Sequence, residues 1–135
     1  MITFSNIGYF GRLGNQMFQY ASLVGMATKK GYEYGIPYKN AETEKTMNVR
    51  TGPEKLELTS IFKNLKAKNV EETPQQSVYY DRACKYEPNY VEILQDGMDI
   101  IGYFQSEKYF LHCEKDIREQ FAFDEKEHIA SWHHV

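Results

Sequence analysis

The chain opens on apolar positions, Ile2, Phe4 and Ile7, followed by Tyr9 and Phe10. These β-formers read as a short strand over residues 2–10, with Ser5-Asn6 as a kink. After the loop GRLGNQ, residues 11–16, the period changes. Met17, Ala21, Val24 and Thr28 recur every three to four residues, which predicts a helix. Asn15 is its N-cap candidate. Lys29 and Lys30 in the last turn, with Gly31 beyond them, mark its end. Gly25 inside the helix costs about 1 kcal/mol relative to Ala, a cost that close backbone contact with the sheet would explain. Tyr32–Tyr38 reads as a second strand. Strand, loop, helix and strand in this order make a βαβ unit, whose strands should be parallel.

Farther along, the pattern is shorter and more polar. Residues 39–54, with Gly52-Pro53, read as an exposed loop, and residues 56–65 as a short amphipathic helix. Residues 66–76 are polar, residues 77–80 a strand, and residues 81–90 irregular. Val91–Leu94 reads as a strand, Gln95-Asp96-Gly97 as a turn, and Met98–Phe104 as a buried strand. Ser106 can cap a helix over 106–121 with Tyr109, Phe110, Cys113 and Ile117 as its apolar stripe, and one more short helix falls within 122–135. The sum is an α/β fold: one domain over 1–135, Rossmann-like, with a mostly parallel sheet and flanking helices. Ile-Gly-Tyr-Phe occurs at 7–10 and again at 101–104, each time ending a strand before a loop. The two strand ends should open toward one carboxyl edge, where open α/β sheets bind ligands.

Composition narrows the classes. A chain of 135 residues with 41% hydrophobic and 26% charged positions is globular, neither a disordered tail nor a fibre. Its apolar runs fall far short of the roughly 20 residues that span a bilayer. The N-terminus lacks the basic cap and apolar core of a signal peptide. Cys84 and Cys113 form no metal pattern and no redox pair, so they read as reduced thiols in a cytoplasmic protein. A net charge of −3 argues against nucleic-acid binding. Residues 1–67 nevertheless carry 9 basic and 5 acidic side chains, net +4, against 7 and 14, net −7, for residues 68–135. If an anionic ligand binds, its expected place is the first half.

The chemistry concentrates at residues 8–16. Gly8, Gly11 and Gly14 are spaced by three, unlike the dinucleotide fingerprint or the Walker loop. A strand, glycine loop and helix start still present backbone N–H groups and a positive helix end to an anion. Arg12 can fork two hydrogen bonds to a phosphate, and the Asn15 and Gln16 amides can donate to and accept from sugar hydroxyls. The same glycines also suit a tight turn with no ligand.

GRLGNQMFQYA, residues 11–21, resembles the opening motif of the α-1,2-fucosyltransferases, glycosyltransferase family 11. GYFQSEKYF, residues 102–110, is similar to a second signature of that family, and IREQFAF, residues 117–123, to the stretch before its donor-binding domain. The resemblance implies an inverting, metal-independent transfer of L-fucose from GDP-fucose to a sugar hydroxyl, with no cofactor. It implies a GT-B-like architecture of two Rossmann-type domains. GDP-sugar and a glycan acceptor are the implied partners. It directs attention to Gly11, Arg12, Gly14, Asn15, Gln16 and Gln105 as binding residues. The family's His-x-Arg-Arg-Gly-Asp stretch, whose arginine holds the donor phosphates, has no counterpart here, the arginines being Arg12, Arg50, Arg82 and Arg118. The chain therefore looks like the acceptor-side, N-terminal half of such an enzyme, expected to be inactive alone and to self-associate through apolar surface near Trp132. The alternatives are a carbohydrate- or nucleotide-binding module without catalysis, a structural remnant, and one chain of a split enzyme. The residues identify no general base. Glu107 reads as a solvated helix start, His112 as packing, and the histidines make no metal set.

Overall fold

A computed structural model describes residues 1–9, 11–42, 46–48, 52–71, 78–80 and 86–122. Among them the strands are β1 (Ile2–Thr3), β2 (Tyr34–Ile36), β3 (Thr46–Asn48), β4 (Gly52–Glu54), β5 (Lys68–Asn69), β6 (Val78–Tyr80) and β7 (Asp99–Ile101). The helices are α1 (Leu13–Lys30), α2 (Leu58–Ile61), α3 (Asn89–Glu92) and α4 (Glu114–Gln120). Five strands form one sheet in the order β5-β2-β1-β7-β6, and every neighbouring pair is parallel. The α/β class and the parallel βαβ start are thus present. No described helix is long and apolar enough to cross a membrane.

The strands are shorter than their apolar runs suggest. β1 stops at Thr3, and residues 5–9 turn, with the Ile7 N–H donating to the Phe4 carbonyl at 3.2 Å and the Tyr9 N–H to that of Asn6 at 3.0 Å. The expected kink at Ser5-Asn6 is therefore the end of the strand. The second strand ends at Ile36, and Tyr38–Ala41 form a 3₁₀ turn that buries Asn40. The polar stretch over 39–54 is not a plain loop, because β3 and β4 pair there as an antiparallel hairpin. The amphipathic run at 56–65 contracts to the single turn α2.

α1 is the centre of the packing. Residues 19–27 are all buried, so its middle is enclosed on every side. It ends as expected, with Gly31 at φ +75° in the left-handed region. Its start differs: Arg12 is the N-cap and makes no side-chain cap, while Asn15 lies inside the first turn. Gly25 does meet backbone, but of the C-terminal segment instead of the sheet. A Cβ there would lie 2.2 Å from the Tyr109 carbonyl oxygen and 2.6 Å from the Phe110 Cα.

Two C-terminal expectations are corrected. Val91–Leu94 is not a strand; Asn89–Glu92 form a helical turn with Pro88 at its N-cap. Tyr90, Val91 and Leu94, all buried, follow helical spacing once Pro88 has set the backbone. The helix expected over 106–121 breaks into 3₁₀ turns at Glu107–Tyr109 and Leu111–Cys113 before α4. Ser106 does cap the first of these turns, its Oγ accepting from the Lys108 N–H at 3.3 Å. The strand predicted to reach Phe104 ends at Ile101, after which Gly102 and Phe104 adopt positive φ. Trp132 and the last predicted helix fall on residues 123–135, outside the described residues, as do Cys84 and Phe10.

Candidate functional site

β1 and β7 are adjacent and parallel, with Thr3 opposite Asp99, so their carboxyl ends share one edge. From β1 the chain passes to β2 and β5 on one side, while β6 and β7 lie on the other. The crevice outside such a divergence is the usual ligand position of open α/β sheets. The segments that follow β1 and β7 lie next to each other there, although residues 7–9 of the first IGYF copy sit in turns beyond β1 instead of ending a strand. Gln105 Nε2 donates to Asn15 Oδ1 at 2.5 Å.

The loop is held from below by buried polar groups. Asp99, 1% exposed, accepts from Thr3 Oγ1 at 2.7 Å and the Ser5 N–H at 2.8 Å on one carboxylate oxygen, and from Ser5 Oγ at 2.5 Å on the other. Asn40 Nδ2 donates to the carbonyls of Ser5 at 3.2 Å and Ile7 at 2.9 Å. Gly8, at φ +93°, leaves room for the Leu56 backbone, whose nitrogen a Cβ would approach to 2.7 Å. Gly11, at φ +88°, does the same for Asn15, whose Cβ would lie 2.6 Å away.

Of the six residues singled out in sequence, Arg12, Gly14 and Gln105 are exposed, and Gly11 and Asn15 half-buried. They surround the start of α1, whose first N–H groups have no partner within the helix. No acidic side chain occupies that first turn, so the positive helix end is not offset locally. Gln16 is different. It is fully buried, donates through Nε2 to the carbonyls of Gly11 at 3.1 Å and Lys55 at 2.8 Å, and accepts through Oε1 from the Glu57 and Leu58 N–H groups at 2.8 and 3.2 Å. Its amide is spent inside the protein. It ties the glycine loop to residues 55–58 and has no donor or acceptor left for a sugar.

Gln105 follows Phe104, a buried non-glycine residue at φ +48°. Its ring packs on Phe4, Tyr90 and Tyr109, with centroids 6.0, 6.1 and 5.5 Å away, and its carbonyl accepts from Ser22 Oγ at 3.1 Å. These contacts hold the backbone in its uncommon conformation, and Gln105 is aimed accordingly.

The remaining candidates lie elsewhere. Glu107 is exposed in the first 3₁₀ turn, as a solvated start would be. His112 is also exposed and does more than pack: its Nε2 lies 2.8 Å from the Gly25 carbonyl, to which it donates. Burial pushes the Cys113 thiol up to about 11, with Asp116 adding to the effect, so it stays protonated at neutral pH. Among the described residues no three His, Cys, Asp or Glu side chains gather as a metal site. A surface hollow of about 480 Å³ runs along α4, lined by Glu114, Lys115, Arg118, Glu119 and Ala122. It shares no residue with the loop, so the loop's claim rests on charge and backbone instead of concavity.

Sequence reasoning missed Asp99 and Asn40. Asp99 carried a signal, a lone acid in the apolar run MDIIGYF, which calls for buried donors. Comparison with models of known protein families, with curated proteins and with solved structures finds no match to this chain.

Proposed function

We propose that this chain is a fucosyltransferase-like protein whose loop over 8–16 receives the diphosphate of GDP-fucose at the start of α1, for transfer of L-fucose to a galactoside hydroxyl. The observation that carries this reading is the contact between its two motifs. GRLGNQMFQYA and GYFQSEKYF lie far apart in sequence, and Gln105 and Asn15 join them at the carboxyl edge. The GT-B-like, acceptor-side architecture belongs to the same proposal.

In this reading Arg12 forks onto phosphate oxygens, and the first amides of α1 add donors. Asn15 retains its amide N–H donors and Gln105 its carbonyl oxygen, a donor–acceptor pair suited to sugar hydroxyls. Gln16, Asn40 and Gly8 shape the loop without touching the ligand, while Gly11 and Gly14 offer it their backbone N–H groups. Transfer would form a bond from the acceptor oxygen to the sugar's anomeric carbon as the bond to GDP breaks, with the hydroxyl proton released to water. The departing anion is stabilised most by positive charge placed beforehand, and Arg12 is the cation this loop supplies. The chain's own share is therefore binding and orientation.

One charge-assisted contact contributes roughly 1.5–3 kcal/mol, and the helix end about 0.3–1. Together they reach at most about 4 kcal/mol, which corresponds to a Kd of millimolar strength or weaker. Ligand-observed NMR with GDP on the wild type and Arg12→Ala tests this. A millimolar signal lost in the folded variant is expected. Equal signals would place the nucleotide elsewhere, and no signal from either protein would overturn the reading.

A further inference from the structure

We propose that Asp99 is the positioning residue of the phosphate-facing loop, setting its anion affinity without touching the ligand. This inference rests on the reading of the loop given above and adds to it a residue that neither motif contains. Asp99 is 1% exposed at the start of β7, and its carboxylate accepts from the Thr3 hydroxyl, the Ser5 hydroxyl and the Ser5 N–H. Those donors sit where β1 gives way to the loop. The Ser5 carbonyl is taken by Asn40 at 3.2 Å, so both backbone polar groups of Ser5 are fixed by buried side chains from different parts of the chain. Ser5 is thus a pivot between β1 and the turns over residues 6–9.

A loop held this way presents its amides in one arrangement before any anion arrives, which removes an ordering cost from binding. A carboxylate also suits the place chemically. It offers acceptors only, and three donors converge on it. An amide in its stead removes the negative charge that strengthens all three bonds and forces the Ser5 hydroxyl to reverse and accept, which weakens the network.

The test compares wild type, Asp99→Asn, Ser5→Ala and, as a control, Tyr20→Phe. Tyr20 makes a buried hydrogen bond to Gln120, outside the loop network. Two quantities are read: amide exchange by NMR at Ile7 and Tyr9 against residues of α1 near Gly31, and the Kd for GDP. Asp99→Asn should raise exchange at Ile7 and Tyr9 at least tenfold, leave the α1 amides unchanged, and weaken GDP about fivefold. Ser5→Ala should do the same to a smaller degree, and it decides the matter if Asp99→Asn does not fold. Tyr20→Phe should lower stability while sparing both loop exchange and GDP affinity. Unchanged loop exchange in the two loop variants, or a loosened loop with unchanged GDP affinity, overturns the proposal and leaves the reading of the loop intact. Wild type that binds no GDP overturns that reading and Asp99's effect on affinity with it, while the exchange data still decide whether Asp99 pins the loop.

Discussion

Gln105 donates a 2.5 Å hydrogen bond to Asn15, a residue 90 positions earlier in the chain. Asn15 is held to the glycine loop through its contact with Gly11, and Gln105 is aimed by the strained, buried Phe104. The bond therefore joins two separately positioned segments at one end of the sheet.

If these amides face the sugar and Arg12 the phosphates, truncating them separates two affinities. Gln105→Ala should weaken GDP-fucose several-fold and leave GDP within twofold. Because Gln105 is exposed, its loss should cost no more than about 1 kcal/mol of stability. Paired ligand titrations and urea denaturation measure both. An equal loss for the two ligands would contradict the assignment.

Two glycines of α1 should respond oppositely to the same substitution. A Cβ at Gly14 meets nothing within 4 Å, so Gly14→Ala should stabilise by up to about 1 kcal/mol through helix propensity. A Cβ at Gly25 strikes the Tyr109 carbonyl at 2.2 Å. Overpacking of this kind costs roughly 1–3 kcal/mol, which outweighs the propensity gain. Chemical denaturation of the two variants should show midpoints on either side of the wild type.

Alkali should unfold the protein through its buried tyrosines. Burial raises the phenol of Tyr20 above its ordinary value and, to a smaller extent, those of Tyr34 and Tyr38. Their protons are held more tightly in the folded chain than in the unfolded one. The resulting stability is complete below about pH 10, the unfolded value, and is lost as pH rises above it, by about 1.4 kcal/mol per pH unit for each proton. Tm should hold steady to about pH 9 and fall above 10. Tyr20→Phe, though less stable throughout, should show a shallower fall.

What the sequence disclosed was local. The end of α1 was legible because Lys29, Lys30 and Gly31 satisfy a helix terminus by themselves, and the βαβ start because the hydrophobic period changes abruptly at Met17. Val91–Leu94 misled because four β-tolerant residues carry no period of their own, and Pro88 decided their conformation. The hairpin β3–β4 lay in a mostly polar stretch where the alternation is brief, confined to residues 46–50, and is followed by Gly52-Pro53. The supports of the loop depend on long-range partners: Asp99 reaches Ser5 across 94 positions, Asn40 reaches Ile7 across 33, and Gln16 reaches Glu57 across 41. Gln16 looked like a ligand contact because an amide's chemistry is the same whether it meets a sugar or a backbone. Only burial distinguishes the two.

The central claim is that a nucleotide anion meets this chain at the start of α1. A GDP titration followed by two-dimensional ¹H–¹⁵N NMR tests it most directly. Saturable, millimolar shifts are expected at the amides of Gly11, Leu13 and Gly14, with Gln16 unmoved in its buried bonds. Shifts confined to Glu114, Lys115 and Arg118 along α4, or none at all, would contradict it.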